Sequence, residues 1–393
     1  MKTASRRRSA IHFGLGEASG AVADLGVLVP LAAALILVNH LDAGAVFLGA
    51  GLLVLGSGLF FRIPFPVQPL KALTAVAVAE QLAPGVIHAA GIEIAAFLVL
   101  LSVRGVAEWL ARLFTKPVVR ALQLGVGVLL IRTAVDMAND PPAVFSGTPS
   151  SPWPFVLAVV AFAGIVWAAR RRWYGLSLAI LGAGVVTVAA TAHPDVGGPS
   201  FHVPWSTLPT GHAFAAAFFL LVVPQLPLTF GNAVVAVSDL ANEYFGARAR
   251  RVRPSLVCVS CAAGNVASAL LGGMPMCHGA GGLTAHYRLG ARTAGMNVLL
   301  GTVFVILGVF FAPQIPQILG LLPVWALAAF LAYAGFRHAW LIRDLRGADL
   351  AVAVVTGLAG ALLKNLAVTA GLALLFAHAL RLSRRKRSRA AAG

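Results

Sequence analysis

The sequence predicts an all-α polytopic membrane protein with about fourteen transmembrane segments in a seven-plus-seven inverted repeat. Three observations carry that expectation. Of 393 residues, 59% are hydrophobic and only 11% charged, with mean hydropathy +0.87, a composition foreign to soluble chains. Apolar runs recur along the whole chain, and a hydrocarbon core of ~30 Å takes about 20 residues of helix, so no room remains for a sizeable soluble domain. Two of the runs are broken by proline and glycine at matching places in the two halves. Paired interruptions of this kind mark inverted-repeat transporters and their binding sites.

The segments are justified in order. Lys2 and Arg6 to Arg8 precede the first apolar run like the start of a signal peptide, but Glu17 and Asp24 interrupt it and no cleavage site follows. A retained first span over 14–39 is therefore expected, then an uninterrupted one over 43–61. The third, 68–83, follows Arg62-Ile-Pro-Phe-Pro-Val-Gln-Pro-Leu-Lys-Ala-Leu73, where Pro64, Pro66 and Pro69 forbid helix until after Pro69. Spans over 85–103, 117–135, 153–169 and 174–192 complete the first half. The second half holds 212–238, 254–272, 279–289, 293–312, 316–336, 348–362 and 364–380. Its third member follows Gly272-Gly-Met-Pro-Met-Cys-His-Gly-Ala-Gly-Gly-Leu283, where Pro275 and closely spaced glycines impose an extended entry. Each broken pair reads as an extended arm entering the membrane and a half-helix starting near its midplane. The implied organisation is a basic cytoplasmic N-terminus (1–13), a first seven-span repeat (14–192), an extracytoplasmic loop (193–211), a second repeat (212–380) and a basic cytoplasmic tail (381–393).

Charge sets the orientation. The formal net charge is +17, yet 26 of the 30 Lys and Arg fall into basic groups at alternate loops, and the stretches 139–152 and 193–211 contain none. By the positive-inside rule both termini are cytoplasmic, in the cell (inner) membrane. The positive balance thus reports topology and excludes a nucleic-acid partner. Cys258, Cys261 and Cys277 lie in or beside apolar segments, so neither a disulfide framework nor a zinc site is implied, and no metal or cofactor is expected.

Four stretches carry a family resemblance: Gly16-Glu-Ala-Ser-Gly-Ala-Val-Ala-Asp-Leu-Gly26, Pro64-Phe-Pro-Val-Gln-Pro-Leu-Lys71, Pro224-Gln-Leu-Pro-Leu-Thr-Phe-Gly-Asn232 and Met274-Pro-Met-Cys-His-Gly-Ala-Gly-Gly-Leu283. In this order they resemble the signatures of the molybdate transporter family, a branch of the sulfate permease superfamily. The resemblance runs from the first span to at least the eleventh. It implies core and gate subdomains and transport of a tetrahedral oxyanion. About a dozen residues follow the last predicted span, so the branch implied is the one lacking a C-terminal soluble regulatory domain.

A dianion inside a membrane needs compensation without a permanently tight trap, and half-helix N-termini supply it through free backbone N–H groups. The candidate donors follow Pro69 in one half and His278 in the other, at Gly279, Ala280 and Gly281, where missing side chains allow close approach. A methyl at Gly279 or Gly281 is expected to obstruct the anion. Lys71 is either a substrate-neutralising cation or the ion-pair partner of Asp24, since a lysine at this depth must face a cavity or a partner. Asp24 is also the candidate for proton coupling. Gln225, Thr229 and Asn232 recur at helical spacing on the eighth span and read as a site lining, joined by Gln68. Asp239 and Glu243 are expected to pair with Arg248 or Arg250, and Lys364 to snorkel to the outer surface.

The expected function is secondary active transport of a tetrahedral oxyanion, molybdate or sulfate, by alternating access between the two half-helix N-termini. The partners are that anion and the lipid bilayer, and a homodimer is left open. A passive anion channel or nucleobase permease of the same architecture is the alternative. For a nucleobase, carboxylates would be expected on the eighth and tenth spans, and the tenth has none. An intramembrane hydrolase would need a nucleophile with a base or an H-E-x-x-H motif; neither is visible, and there is no P-loop.

Overall fold

The computed structural model describes residues 11–141, 145, 153–192, 197–206, 208–363 and 366–390. The basic residues within 1–10 and Lys364 lie outside them.

The chain is mostly helical. Its first span is two helices, α1 (Leu15–Val22) and α2 (Leu25–Leu37), bent by 41° at Ala23 and Asp24. Helix α3 (Ala43–Phe61) starts where the Asp42 carboxylate accepts from the Ala45 amide and stops at Arg62, whose φ is +59°, just before the prolines. An extended arm then carries strand β1 (Gln68–Pro69) into the half-helix α4 (Lys71–Ala79). Helices α5 (Pro84–Ser102), α6 (Val106–Ala111), α7 (Lys116–Asn139), α8 (Trp153–Arg171) and α9 (Gly175–Ala192) follow.

The eighth predicted span is a continuous helical rod rather than a 27-residue α-helix. It runs as α10 (Gly211–Ala217), α11 (Val223–Leu228) and α12 (Val237–Phe245), joined by π-helical stretches over Phe218–Val222 and Thr229–Ala236. Pro224 and Pro227 remove two amide donors inside it, and the π turns re-route the neighbouring hydrogen bonds. Helix α13 (Pro254–Leu271) ends at Gly272, φ +86°, a left-handed turn that favours glycine. Strand β2 (Met276–Cys277), half-helix α14 (Ala280–Arg288), α15 (Gly295–Phe310), α16 (Ile315–Gly320), α17 (Val324–Ala339), α18 (Gly347–Leu362) and α19 (Leu366–Ala390) complete the chain.

Several boundaries differ from expectation. The run 316–336 breaks before Pro323, so α16 folds back on α15 at 102° and α17 starts afresh. Helix α19 continues to Ala390, so the basic tail through that residue extends the last helix. By length and composition, six described helices reach across a membrane, or eight when each bent pair counts as one span. Shorter apolar helices and the two half-helices account for much of the remainder.

The most extensive helix contacts are α3 with α15, α7 with α17 and α5 with α13; α18 also packs on α7, and α8 on α17. Backbones approach closely where glycines meet: a Cβ on Gly308 would lie 2.7 Å from the Gly44 carbonyl oxygen, and one on Gly335 2.7 Å from that of Gly127. At the end of α7 that begins with Lys116, the Arg120 side chain is only 2% exposed and gathers Asp344 (2.7 Å), Glu243 (3.2 Å) and Asp239 (3.4 Å). Asp239 and Glu243 thus pair with Arg120 rather than with Arg248 or Arg250. Arg248 instead donates to the Arg292 carbonyl.

Candidate functional site

The two extended arms meet as an antiparallel pair, Gln68 opposite Cys277 and Pro69 opposite Met276. Non-helical backbone at membrane depth must find partners within the protein. Two asparagines on neighbouring helices provide them. Asn297 on α15 accepts from the Phe65 amide (2.9 Å) and donates to the Phe65 carbonyl (2.7 Å). Asn265 on α13 does the same for Met276, at 2.7 and 2.8 Å. Ser268 donates to the Met274 carbonyl, and the Leu70 amide to that of Pro275. His278 belongs to this scaffold: its Nδ1 lies 2.8 Å from the Pro66 carbonyl, its Nε2 2.9 Å from the Ser260 hydroxyl, and its ring meets Phe65 edge-on. Both ring nitrogens are therefore occupied, and the histidine clamps the arms together.

A polar chain runs from this crossing. Lys71, the first residue of α4, donates from Nζ to Gln68 Oε1 at 2.5 Å. Gln68 Nε2 donates in turn to Asp24 Oδ1. The other carboxylate oxygen of Asp24 lies 3.7 Å from His286 Nε2, and His286 Nδ1 is 2.7 Å from the Gly20 carbonyl. That carbonyl can only accept, so Nδ1 carries a proton. Lys71 and Asp24 are thus coupled through the Gln68 amide rather than by direct contact. Asp24 sits at the α1–α2 break, where its carboxylate lies beside the first turn of α14.

In α14 the first three residues, Ala280, Gly281 and Gly282, have amides that no intrahelical acceptor can reach, and no described group accepts from them. In α4 the same holds for Lys71 and Ala72, whereas the Leu73 amide donates to Gln225 Oε1 at 3.0 Å. Cβ atoms on Gly279 and Gly282 would strike Gln68, the latter 2.7 Å from both its Nε2 and Asp24 Oδ2. A Cβ on Gly281 would make ordinary contact with Leu130 at 3.5 Å, so the expected obstruction belongs to Gly279 and Gly282.

Gln225 also donates to Thr229 Oγ1 at 2.9 Å, so both face the half-helix α4. Asn232 is buried in the π-helical stretch, and its Oδ1 has no partner among the described residues. A cavity of about 520 Å³ reaches Lys71 and Ala72, walled by Val27, Pro30 and Leu31 of α2, by Pro224 and Leu228 of α11, and by α7. Leu130 of α7 separates it from Gly281. Gln225, Thr229 and Asn232 lie outside its wall, one helical step from Pro224 and Leu228.

The structure adds residues that the motifs did not single out. His286, Asn265 and Asn297 are isolated polar side chains in apolar segments, and that rarity was the available signal. Glu17 accepts from the amides of Arg292, Thr293 and Met296 at 2.9 to 3.2 Å, so it fixes α1 to the start of α15.

Comparison with known proteins places this geometry. In fold the chain resembles the transmembrane domain of a cyanobacterium bicarbonate transporter, BicA, with TM-score 0.58 at 17% identity over 93% of this chain and 98% of that one. It also resembles murine Slc26a9, an anion transporter in the inward-facing state, with TM-score 0.57 at 11% identity over 95% and 69% of the two chains. In sequence it is 31% identical to Molybdate transporter 2 of Arabidopsis thaliana over 380 residues, 85% of this chain and 80% of that protein. Molybdate transporter 1 of Chlamydomonas reinhardtii is 32% identical over 441 residues, 84% of each. Residues 16–130 and 217–337 match the family described as molybdate transporter of the MFS superfamily. Those two blocks contain Asp24, Gln68, Lys71 and both half-helices, and the chain belongs to the molybdate transporter family.

Proposed function

We propose that this protein moves a tetrahedral oxyanion, molybdate or sulfate, across the cell membrane by secondary active transport, with the anion held between the N-termini of α4 and α14. The observation that carries the reading is the β1–β2 crossing, which brings two half-helix starts together beside Lys71 at the end of a cavity. Unpaired amides and an ammonium group suit an anion, and both bind it without an irreversible trap. Gln68, Lys71, Ala280 and Gly281 are the direct binding groups in this proposal, while Gln225, Thr229, Asn232, His278 and Gly279 shape and hold them.

Alternating access is supported by the symmetry of the packing. When each predicted span is exchanged for the one seven places away, the contact of α3 with α15 becomes that of α13 with α5. The contact of α8 with α17 becomes that of α18 with α7, and α7 with α17 maps onto itself. This is the pattern of a seven-plus-seven inverted repeat, with 14–192 and 212–380 as its halves and both termini cytoplasmic. In this reading Asp24 is the coupling group. A dianion at Lys71 withdraws the ammonium's compensation from Asp24, which then takes a proton shared with His286.

Uptake of labelled molybdate and sulfate into proteoliposomes, each competing with the other, tests the reading. Accumulation above the external concentration under an imposed gradient is expected, with loss of uptake in Lys71→Ala. Uptake that only ever equilibrates would identify a passive channel.

A further inference from the structure

Of the 30 Lys and Arg residues, only Arg62, Lys71, Arg132 and Lys364 fall outside the basic groups that set orientation. Arg62 caps α3 with its side chain exposed, and Lys364 is outside the described residues. The remaining two line the same cavity, Lys71 from the first turn of α4 and Arg132 from the wall formed by α7. Among the described residues Arg132 forms no ion pair and no hydrogen bond. Asp136, one turn further along α7, also lines the cavity without pairing with it. A guanidinium left unpaired in a membrane-embedded wall needs a reason.

The charges supply one. Lys71 already gives a proton to Gln68, behind which stands Asp24, so its ammonium is partly compensated before any anion arrives. With Asp136 also in the wall, Lys71 alone leaves the cavity without net positive charge. Arg132 restores it. Leu130, which touches the start of α14, is two residues from Arg132, about 3 Å along the helix axis at 1.5 Å per residue. The guanidinium therefore stems from the depth of the half-helix amides. Thr133 beside it has its hydroxyl turned back to the Leu129 carbonyl at 3.0 Å and offers no free donor.

We propose that Arg132 is the second cation of the oxyanion site, engaging two oxygens of a tetrahedral dianion with its planar fork while Lys71 and the half-helix amides engage the others. This inference rests on the site reading above. It makes charge, rather than shape alone, a basis for preferring dianions, and it places one binding group on α7, across a cavity from the half-helix.

Initial uptake rates of the full chain in proteoliposomes, measured against molybdate concentration and ionic strength, test it. Arg132→Gln should raise KM for molybdate by about ten- to a hundredfold and flatten the ionic-strength dependence. Arg132→Lys should lie between that variant and the parent, and Asp136→Asn should lower KM. Thermal stability without substrate should not change, because Arg132 has no partner to lose. Parental KM and salt dependence in a well-folded Arg132→Gln overturn the inference. If Lys71→Ala still abolishes uptake in that case, only Arg132 falls; if Lys71→Ala is silent too, the site reading falls with it. Should Arg132→Gln not reach the membrane, an unchanged KM in Asp136→Asn overturns the inference instead.

Discussion

Lys71 and the two colliding glycines give the sharpest expectations at the level of single residues. Lys71→Ala should abolish high-affinity uptake while the protein still reaches the membrane, and Lys71→Arg should rescue only part of it, because a planar guanidinium cannot reproduce the short bond to Gln68. A methyl at Gly282 must displace Gln68 from Asp24, whereas one at Gly281 meets only Leu130 and His338 at 3.5 and 3.9 Å. Gly282→Ala should therefore weaken oxyanion affinity by about ten- to a hundredfold, the worth of a lost hydrogen bond to a charged group. Gly281→Ala should stay close to the parent. Equal losses in both would place the anion on the Gly281 face instead. Asp344 offers a pH signature at the cytoplasmic end. Burial raises its pKa, but hydrogen bonds from Arg120 and Lys116 outweigh that and hold the carboxyl below its ordinary value. The sign follows: this contribution is present above the unfolded pKa of about 4 and is lost as pH falls through the folded value. Thermal melts of the detergent-solubilised protein should show that acid-side decline, and Arg120→Met should remove it.

Among the elements, the extended arms depend on Asn265 and Asn297 for hydrogen bonds that a helix would make for itself. Asn297→Leu strands both the amide and the carbonyl of Phe65, at about 1–3 kcal/mol for each buried unsatisfied group, so the apparent stability should fall by roughly 2–6 kcal/mol. Asn297→Asp, which keeps one acceptor, should fall less. Equal melting of the leucine variant and the parent would mean that the arm finds other partners. These elements also mark the limits of reading the sequence. Pro64, Pro66, Pro69 and Pro275 announced the arms because proline forbids helix locally, and Pro69 announced where α4 begins. The pairing of β1 with β2 was not legible, because it joins residues more than two hundred positions apart through backbone groups that any sequence carries. Likewise, helical spacing put Gln225 and Thr229 on one face correctly, but only packing against α4 turns that face toward the Leu73 amide and away from the cavity. His278 read as a ligand because it opens the glycine-rich turn; its two partners, Pro66 and Ser260, come from distant segments.

Over the whole molecule, hydropathy and charge bias foretold the helical content, while the bends at Asp24 and Pro323 arose from tertiary packing that composition does not record. The inverted repeat remains the statement with the widest consequences. Seven spans are an odd number, so a second half that repeats the first must enter from the opposite face, and the loop after α9 must lie across the membrane from the Arg248 to Arg253 group. The three native cysteines are all buried, so single cysteines introduced at exposed positions report against a low background. Val203 is 62% exposed in the loop before α10, and Arg250 is exposed between α12 and α13. Val203→Cys should react with an impermeant maleimide applied to intact cells, and Arg250→Cys only after the membrane is permeabilised. That pair is separated by one predicted span, and a cysteine at Lys116, one span beyond the loop between α4 and α5 and four spans before Val203, should behave like Arg250. If Val203 and Lys116 label from the same face, an even number of crossings is missing between them no longer: the three spans from 117 to 192 must then number two or four, and the symmetric exchange of helix contacts would have to arise without inversion.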